Sequence, residues 1–130
     1  YNNARLNVTD GRYVYMRAAA GDNTPLYEYT VMPTHMNKLF DAGELPVWDK
    51  AEPFSFTKAC PVMKIPGRPA HVAPTAHAMG HLLYDLQADP AQENPLADPA
   101  LEQKMIDLMV GLMRESEAPS EQYIRLGLGG

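Results

Sequence analysis

A single cysteine, Cys60, stands in 130 residues, so no internal disulfide can staple this chain. No apolar run approaches the roughly 20 residues that a membrane-spanning helix needs, and no membrane span is expected. Tyr1-Asn2-Asn3-Ala4-Arg5 has neither a signal-peptide pattern nor an initiator Met, which points to processing or truncation of a longer protein and leaves the compartment open. There is no phosphate-binding glycine loop, no repeat and no low-complexity tract. Basic residues are in the minority. With 11 Lys and Arg against 16 Asp and Glu, the net charge is −5, which argues against a general nucleic-acid binder, where a basic face is the rule.

What is present is ordinary globular composition, 45% hydrophobic and 21% charged, in a length that suits one domain, residues 1–130, with one modest core. The charge is unevenly spread. From Asp85 to the end there are nine acidic residues against three basic ones, whereas Pro53 to Tyr84 contains no Asp or Glu and holds Lys58, Lys64, Arg68, His71, His77 and His81. That stretch is a local positive region in an acidic chain, suited to facing an anion.

The first third has β character. Leu6 and Val8 alternate, Asp10-Gly11 supplies the positive φ angles of a tight hairpin turn, and Arg12-Tyr13-Val14-Tyr15-Met16-Arg17 is rich in aromatic and β-branched residues. Gly21-Asp22-Asn23-Thr24-Pro25 breaks the chain. Residues Leu26 to Met32 then alternate as a third strand. Pro33-Thr34-His35-Met36 is expected to open a short helix through Phe40, and Phe54 to Lys58 alternates as a further strand candidate. Residues 65 to 80, with Pro66, Gly67, Pro69, Pro74 and Gly80, predict a long irregular loop. His81 to Leu86 predicts a final strand, stopped by Asp89-Pro90. A helix follows: Asp98 suits the N-cap, Pro99 the first helical position and Glu102 the positive end of the dipole. Leu101, Met105, Leu108 and Leu112 form an apolar stripe, and Ala118-Pro119 ends the helix. Gly127-Leu128-Gly129-Gly130 predicts a flexible tail. The expected fold class is α+β: a small antiparallel sheet of about four strands with a C-terminal helix packed on one face.

The residues that could carry chemistry do not assemble into a catalytic set. His77 and His81 have the i, i+4 spacing of a metal pair, but Gly80 and Pro74 oppose the helix that would give that spacing meaning. Cys60 is expected as a small core residue, since no oxyanion loop or orienting acid accompanies it. Asp85, Asp89 and Glu93 lack the ligand spacing and central Gly of a calcium loop and are expected as turn residues.

The segment Leu83-Tyr84-Asp85-Leu86-Gln87-Ala88-Asp89-Pro90-Ala91-Gln92-Glu93-Asn94-Pro95-Leu96-Ala97 resembles the "LYDL…DP…EN…LA" run near the C-terminus of sulfatases. Val8-Thr9-Asp10-Gly11-Arg12-Tyr13-Val14-Tyr15 is similar to the "T-D-x-R-Y-K-Y" strand pair that opens the same subdomain. Leu26 to Thr30, Met32 to Met36, and Gln122-Tyr123-Ile124-Arg125-Leu126-Gly127 resemble one bacterial branch of that family, so the likeness runs through nearly the whole chain in order.

The resemblance implies the C-terminal subdomain of a bacterial sulfatase of the alkaline phosphatase-like superfamily, without the N-terminal catalytic domain. The family's formylglycine, made from Cys or Ser in C/S-x-P-x-R, and its calcium ion belong to that other domain. Cys60-Pro61-Val62-Met63-Lys64 departs from the motif, with Pro directly after Cys and Lys where Arg is required. No catalytic residue, metal ligand or cofactor is therefore assigned to this chain. The implied partners are the catalytic domain of the same protein and a sulfated small molecule or glycan, with a periplasmic or secreted parent. His35, Lys58, Lys64 and Arg68 are the candidate substrate-binding residues. The alternatives are the same subdomain of a phosphoester or phosphonate hydrolase relative, or a free-standing interaction domain.

Overall fold

The computed structural model describes residues 5–32, 34, 37–45, 47–67 and 80–129. They form an α+β arrangement of two three-stranded antiparallel sheets and a C-terminal helical segment. The chain divides into two compact units, one of residues 1–24 and 69–130 and the other of residues 25–68. Strands were expected in one sheet of about four. Instead six strands are split between two sheets, because the Gly21–Pro25 break separates the N-terminal hairpin from a third strand that finds its partner further along the chain. No helix among the described residues is long and apolar enough to cross a membrane.

In the first unit, β1 (Leu6–Thr9) and β2 (Tyr13–Arg17) form the hairpin, with Val8 opposite Tyr15. β6 (Leu82–Asp85) pairs with the other edge of β2, Tyr15 opposite Leu83. The register leaves Gly11 and Arg12 as the two turn residues, with Gly11 at φ +96°. The positive φ therefore falls on the first central position, where a II′ hairpin takes glycine. The Asp10 carboxylate accepts from the backbone N–H groups of Arg12 at 3.0 Å and Tyr13 at 2.8 Å. These bonds, helped by Lys104 at 3.4 Å, hold its pKa below the ordinary value.

Helix α1 (Pro99–Glu115) begins as its sequence requires, with Asp98 accepting from the N–H groups of Ala100 and Leu101. The buried row is Met105, Met109 and Met113, packed with Val8, Tyr15, Leu83 and Leu126; Leu101, Ile106 and Leu108 flank it. Leu112, expected in the stripe, is 47% exposed. The i, i+4 row that packs runs obliquely to the helix axis, so a position facing the core in the first turns leaves it in the last. The helix closes in a Schellman motif: Glu117 N–H donates to Arg114 C=O and Ala118 N–H to Met113 C=O. Glu117 holds the left-handed position at φ +55° without being glycine. A second helix, α2 (Ser120–Arg125), was not anticipated, since six residues are too few for a periodicity. It closes the same way, with Gly127 N–H donating to Ile124 C=O and Leu128 N–H to Tyr123 C=O. The expected flexible tail is thus a cap, and Leu128 packs on the core.

Polar groups tie these layers together. Tyr15 is fully buried, and its hydroxyl donates to Glu102 Oε1 at 2.8 Å while accepting from Arg17 Nη1 at 3.0 Å. Burial, with the bond to Glu102, raises its pKa to about 12. The remaining Arg17 nitrogens donate to the carbonyls of Leu126 and Gly127, where the negative end of α2 favours a cation. His81 Nδ1 accepts the N–H of Ala18 at 3.1 Å, which requires that nitrogen to be unprotonated. His81 is exposed as a whole, but partial desolvation of its ring beside Tyr15 lowers its pKa, and the Arg17 field adds to this.

In the second unit the strand order is β3-β5-β4, with β3 (Tyr27–Thr30), β4 (Asp49–Ala51) and β5 (Val62–Pro66). The strand expected at Phe54–Lys58 is instead a 3-10 turn at Ser55–Thr57, followed by Lys58 and Ala59 at φ +51° and +62°. Thr57 Oγ1 lies 2.9 Å from both the Phe54 and the Cys60 carbonyls, a local side-chain bond that competes with strand pairing. Where a short helix was expected, Thr34 and Leu39 form an antiparallel bridge. Pro33, His35 and Met36 of that segment lie outside the described residues.

Replacing Met109, 2% exposed, by Ala is expected to cost about 2–5 kcal/mol in urea unfolding, and Leu112→Ala under about 1 kcal/mol. Glu117→Gly is expected to raise stability by up to about 1 kcal/mol, by relieving a left-handed side-chain-bearing residue. The lowered His81 pKa means that the unfolded chain binds the proton more readily. Stability is thus lost as pH falls from the ordinary value of 6.5 through the lower folded value. His81→Asn retains an acceptor near Nδ1 and should flatten the slope of unfolding free energy measured between about pH 7 and 5.5.

Candidate functional site

The candidate residues of the acid-free stretch that are described, Lys58 and Lys64, both belong to the second unit. Arg68 and His35 lie outside the described residues, as do His71 and His77. Strand pairing sets Lys64 opposite Tyr29 on one side and Asp49 on the other. Its ammonium lies 4.2 Å from the centre of the Tyr27 ring and 5.7 Å from that of Tyr29. Tyr27 and Tyr29 share a face because alternate residues of a strand do, so two rings converge on one cation.

Lys58 is placed differently. It follows the 3-10 turn in left-handed backbone and is exposed. It borders a hollow of about 620 Å³ whose other walls include Tyr29, Val31, Phe54, Phe56 and Val62. The Phe54 and Phe56 rings are stacked, 5.1 Å apart and 2° from parallel, and Tyr29 meets Phe54 edge-on at 5.4 Å and 75°. Phe56 is 69% exposed. Lys58 is the one charged side chain lining the hollow among the described residues, and no carboxylate lines it. Tyr29 connects the two lysines: it walls the hollow beside Lys58, and its ring lies over Lys64.

Cys60 was expected in a core and is instead exposed, on the wall of the hollow. The reason is the pair of left-handed residues before it, Lys58 and Ala59, which turn the chain outward after the 3-10 turn; its N–H is held by Thr57 C=O at 3.0 Å. The aromatic lining was not foreseen from sequence. Tyr29 belongs to a different segment from Phe54 and Phe56, and the only prior signal was two phenylalanines spaced by one residue.

The remaining sequence candidates are structural. Asp85 Oδ2 accepts from Arg12 Nη2 at 2.7 Å and Nε at 3.1 Å, while Oδ1 accepts from the N–H groups of Gln87 and Ala88. These bonds hold the Asp85 pKa below the ordinary carboxylate value. Asp89 Oδ2 accepts the N–H of Asn94 at 2.7 Å, closing the next turn. His81 precedes β6 and caps Ala18. Among the described residues no group of His, Cys, Asp and Glu could hold a metal ion. No family model, curated protein or solved structure matches the chain.

An exposed thiol should react stoichiometrically with a small maleimide without denaturant. Intact mass after native labelling should show one adduct, lost in Cys60→Ser.

Proposed function

We propose that this chain is the C-terminal, non-catalytic part of a sulfatase, packing on an N-terminal catalytic domain and lining the cleft in which sulfate esters are hydrolysed. One observation carries the reading. The two segments most similar to that family, about 70 residues apart in sequence, lie on adjacent strands: β2 pairs with β6, and Arg12 of the first segment binds Asp85 of the second. The family-like residues therefore depend on one another, as the signature of a subdomain should. The path from β6 through the Asp89 turn to a capped terminal helix supports the same reading.

In this reading the chain supplies positioning, and the reaction belongs to the catalytic domain. Cys60 and its neighbours do not fit the formylglycine motif, and the described residues do not fit a calcium site, so neither group is given a role here. A sulfate ester remains anionic at neutral pH, and a cleft that serves it gains from fixed cations and from the exclusion of carboxylates. Lys58, Lys64, Arg68 and His35 are the proposed substrate contacts. Lys58 stands at the edge of a hollow with no acidic neighbour on its wall among the described residues, and Lys64 is presented on two tyrosine rings. Contacts made equally in the ground and transition states lower KM without raising kcat.

In the intact parent, Lys58→Met, Lys64→Met and Arg68→Met should each raise KM for an aryl sulfate with little change in kcat, and the effect should shrink at high salt. Unchanged KM in all three refutes the substrate-lining role. Turnover of phosphate monoesters or phosphonates in preference to sulfate esters would assign the parent to the related hydrolases. The 130-residue chain alone should hydrolyse neither ester.

A further inference from the structure

We infer that the hollow of the second unit is a binding site for a small, planar aromatic anion, one or two fused rings bearing a single negative group. The inference uses the hollow's own geometry and holds whether or not the parent cleaves sulfate esters.

Size comes first. A cavity of about 620 Å³ lies inside the range of roughly 300–1,000 Å³ typical of small-molecule sites. Its walls then narrow the ligand class. Phe54 and Phe56 stack in parallel, and Phe56 leaves most of its surface open to solvent. A stacked ring with a free face offers a flat apolar platform, which another flat ring covers well. Tyr29, set edge-on against Phe54, closes one side with aromatic surface, and Val31 and Val62 add aliphatic surface.

The polar features fix the charge. Lys58 is the one charged residue on the lining among the described residues, so the complement is a single negative charge. Lys64 is not among the residues that line the hollow, so a second anionic group would find no second cation on its described walls. The Thr57 hydroxyl is held near the Phe54 and Cys60 carbonyls and is not aimed at a ligand. The Thr30 hydroxyl likewise donates to Met32 C=O and accepts the Met32 N–H, so the described walls are mainly aromatic and aliphatic; this disfavours a sugar and favours an arene with one anionic substituent, such as a carboxylate, sulfonate or sulfate ester.

The test uses the 130-residue chain with three probes: 2-naphthalenesulfonate, neutral 2-naphthol and inorganic sulfate. Titration calorimetry and backbone amide NMR shifts are recorded for the unchanged chain and two variants. Lys58→Met keeps the aliphatic stem and removes the charge. Phe56→Ala removes a mostly exposed ring, and the NMR spectrum of each variant reports its fold. The expected result is saturable binding of the sulfonate, with shifts confined to residues around the hollow, and weaker binding of 2-naphthol. Lys58→Met should weaken the sulfonate about tenfold and leave 2-naphthol unchanged, while Phe56→Ala should weaken both. Sulfate alone should give no localised shifts. Equal affinity for sulfonate and naphthol, insensitivity to Lys58→Met, or shifts spread over the surface would each overturn the proposal, as would the absence of binding up to millimolar probe.

Discussion

Burying the Tyr15 ring between the N-terminal sheet and α1 is the constraint on which the first unit depends. A phenol removed from water must still satisfy its hydroxyl, and the two groups that do so come from different places. Glu102 accepts from the first turns of α1, and Arg17 donates from two residues along the same strand. Arg17 in turn spends its other nitrogens on the carbonyls that end α2. One buried ring thus fixes the position of the long helix over the sheet and, through a single guanidinium, that of the C-terminal cap. The methionine row packs against this ring and can adapt to its shape, because unbranched thioether chains fill irregular space.

Around that centre several polar side chains have local duties. Asp10 closes the hairpin, Asp85 closes the turn after β6 and binds back to Arg12, and buried Arg125 donates to the side chain of buried Asn23, which sits in left-handed backbone. Among the described residues no buried side-chain nitrogen or oxygen lacks a partner. Such completeness is what a rigid structural unit requires.

The second unit differs in kind. Its sheet buries Val62 and Ile65, while Val31, Met32, Leu39, Val47, Trp48 and Phe56 all remain exposed. The first unit exposes fewer large apolar side chains among its described residues, Leu96, Leu112 and Ile124. The cationic and aromatic groups proposed as contacts, Lys58, Lys64, Tyr29, Phe54 and Phe56, fall in this unit.

The sequence by itself determined the elements whose signals are local. The hairpin is written in Asp10-Gly11 and the flanking alternation, the last strand in His81 to Leu86, and the long helix in Asp98-Pro99 with its apolar period, because turns, caps and periodicity act over a few residues. Positive charge around Lys58 and Lys64 was legible for the same reason. Tertiary structure alone decided the rest. It chose the methionine row over Leu112, since helix crossing geometry selects an oblique line of side chains. It divided the strands between two sheets, since pairing depends on partners far along the chain. It turned Phe54–Lys58 from an alternating strand into a 3-10 turn that puts Cys60 outside. The hollow itself gathers residues from β3, the 3-10 turn and β5, and no local pattern records a meeting of segments some 30 residues apart, which arises only when the sheet pairs.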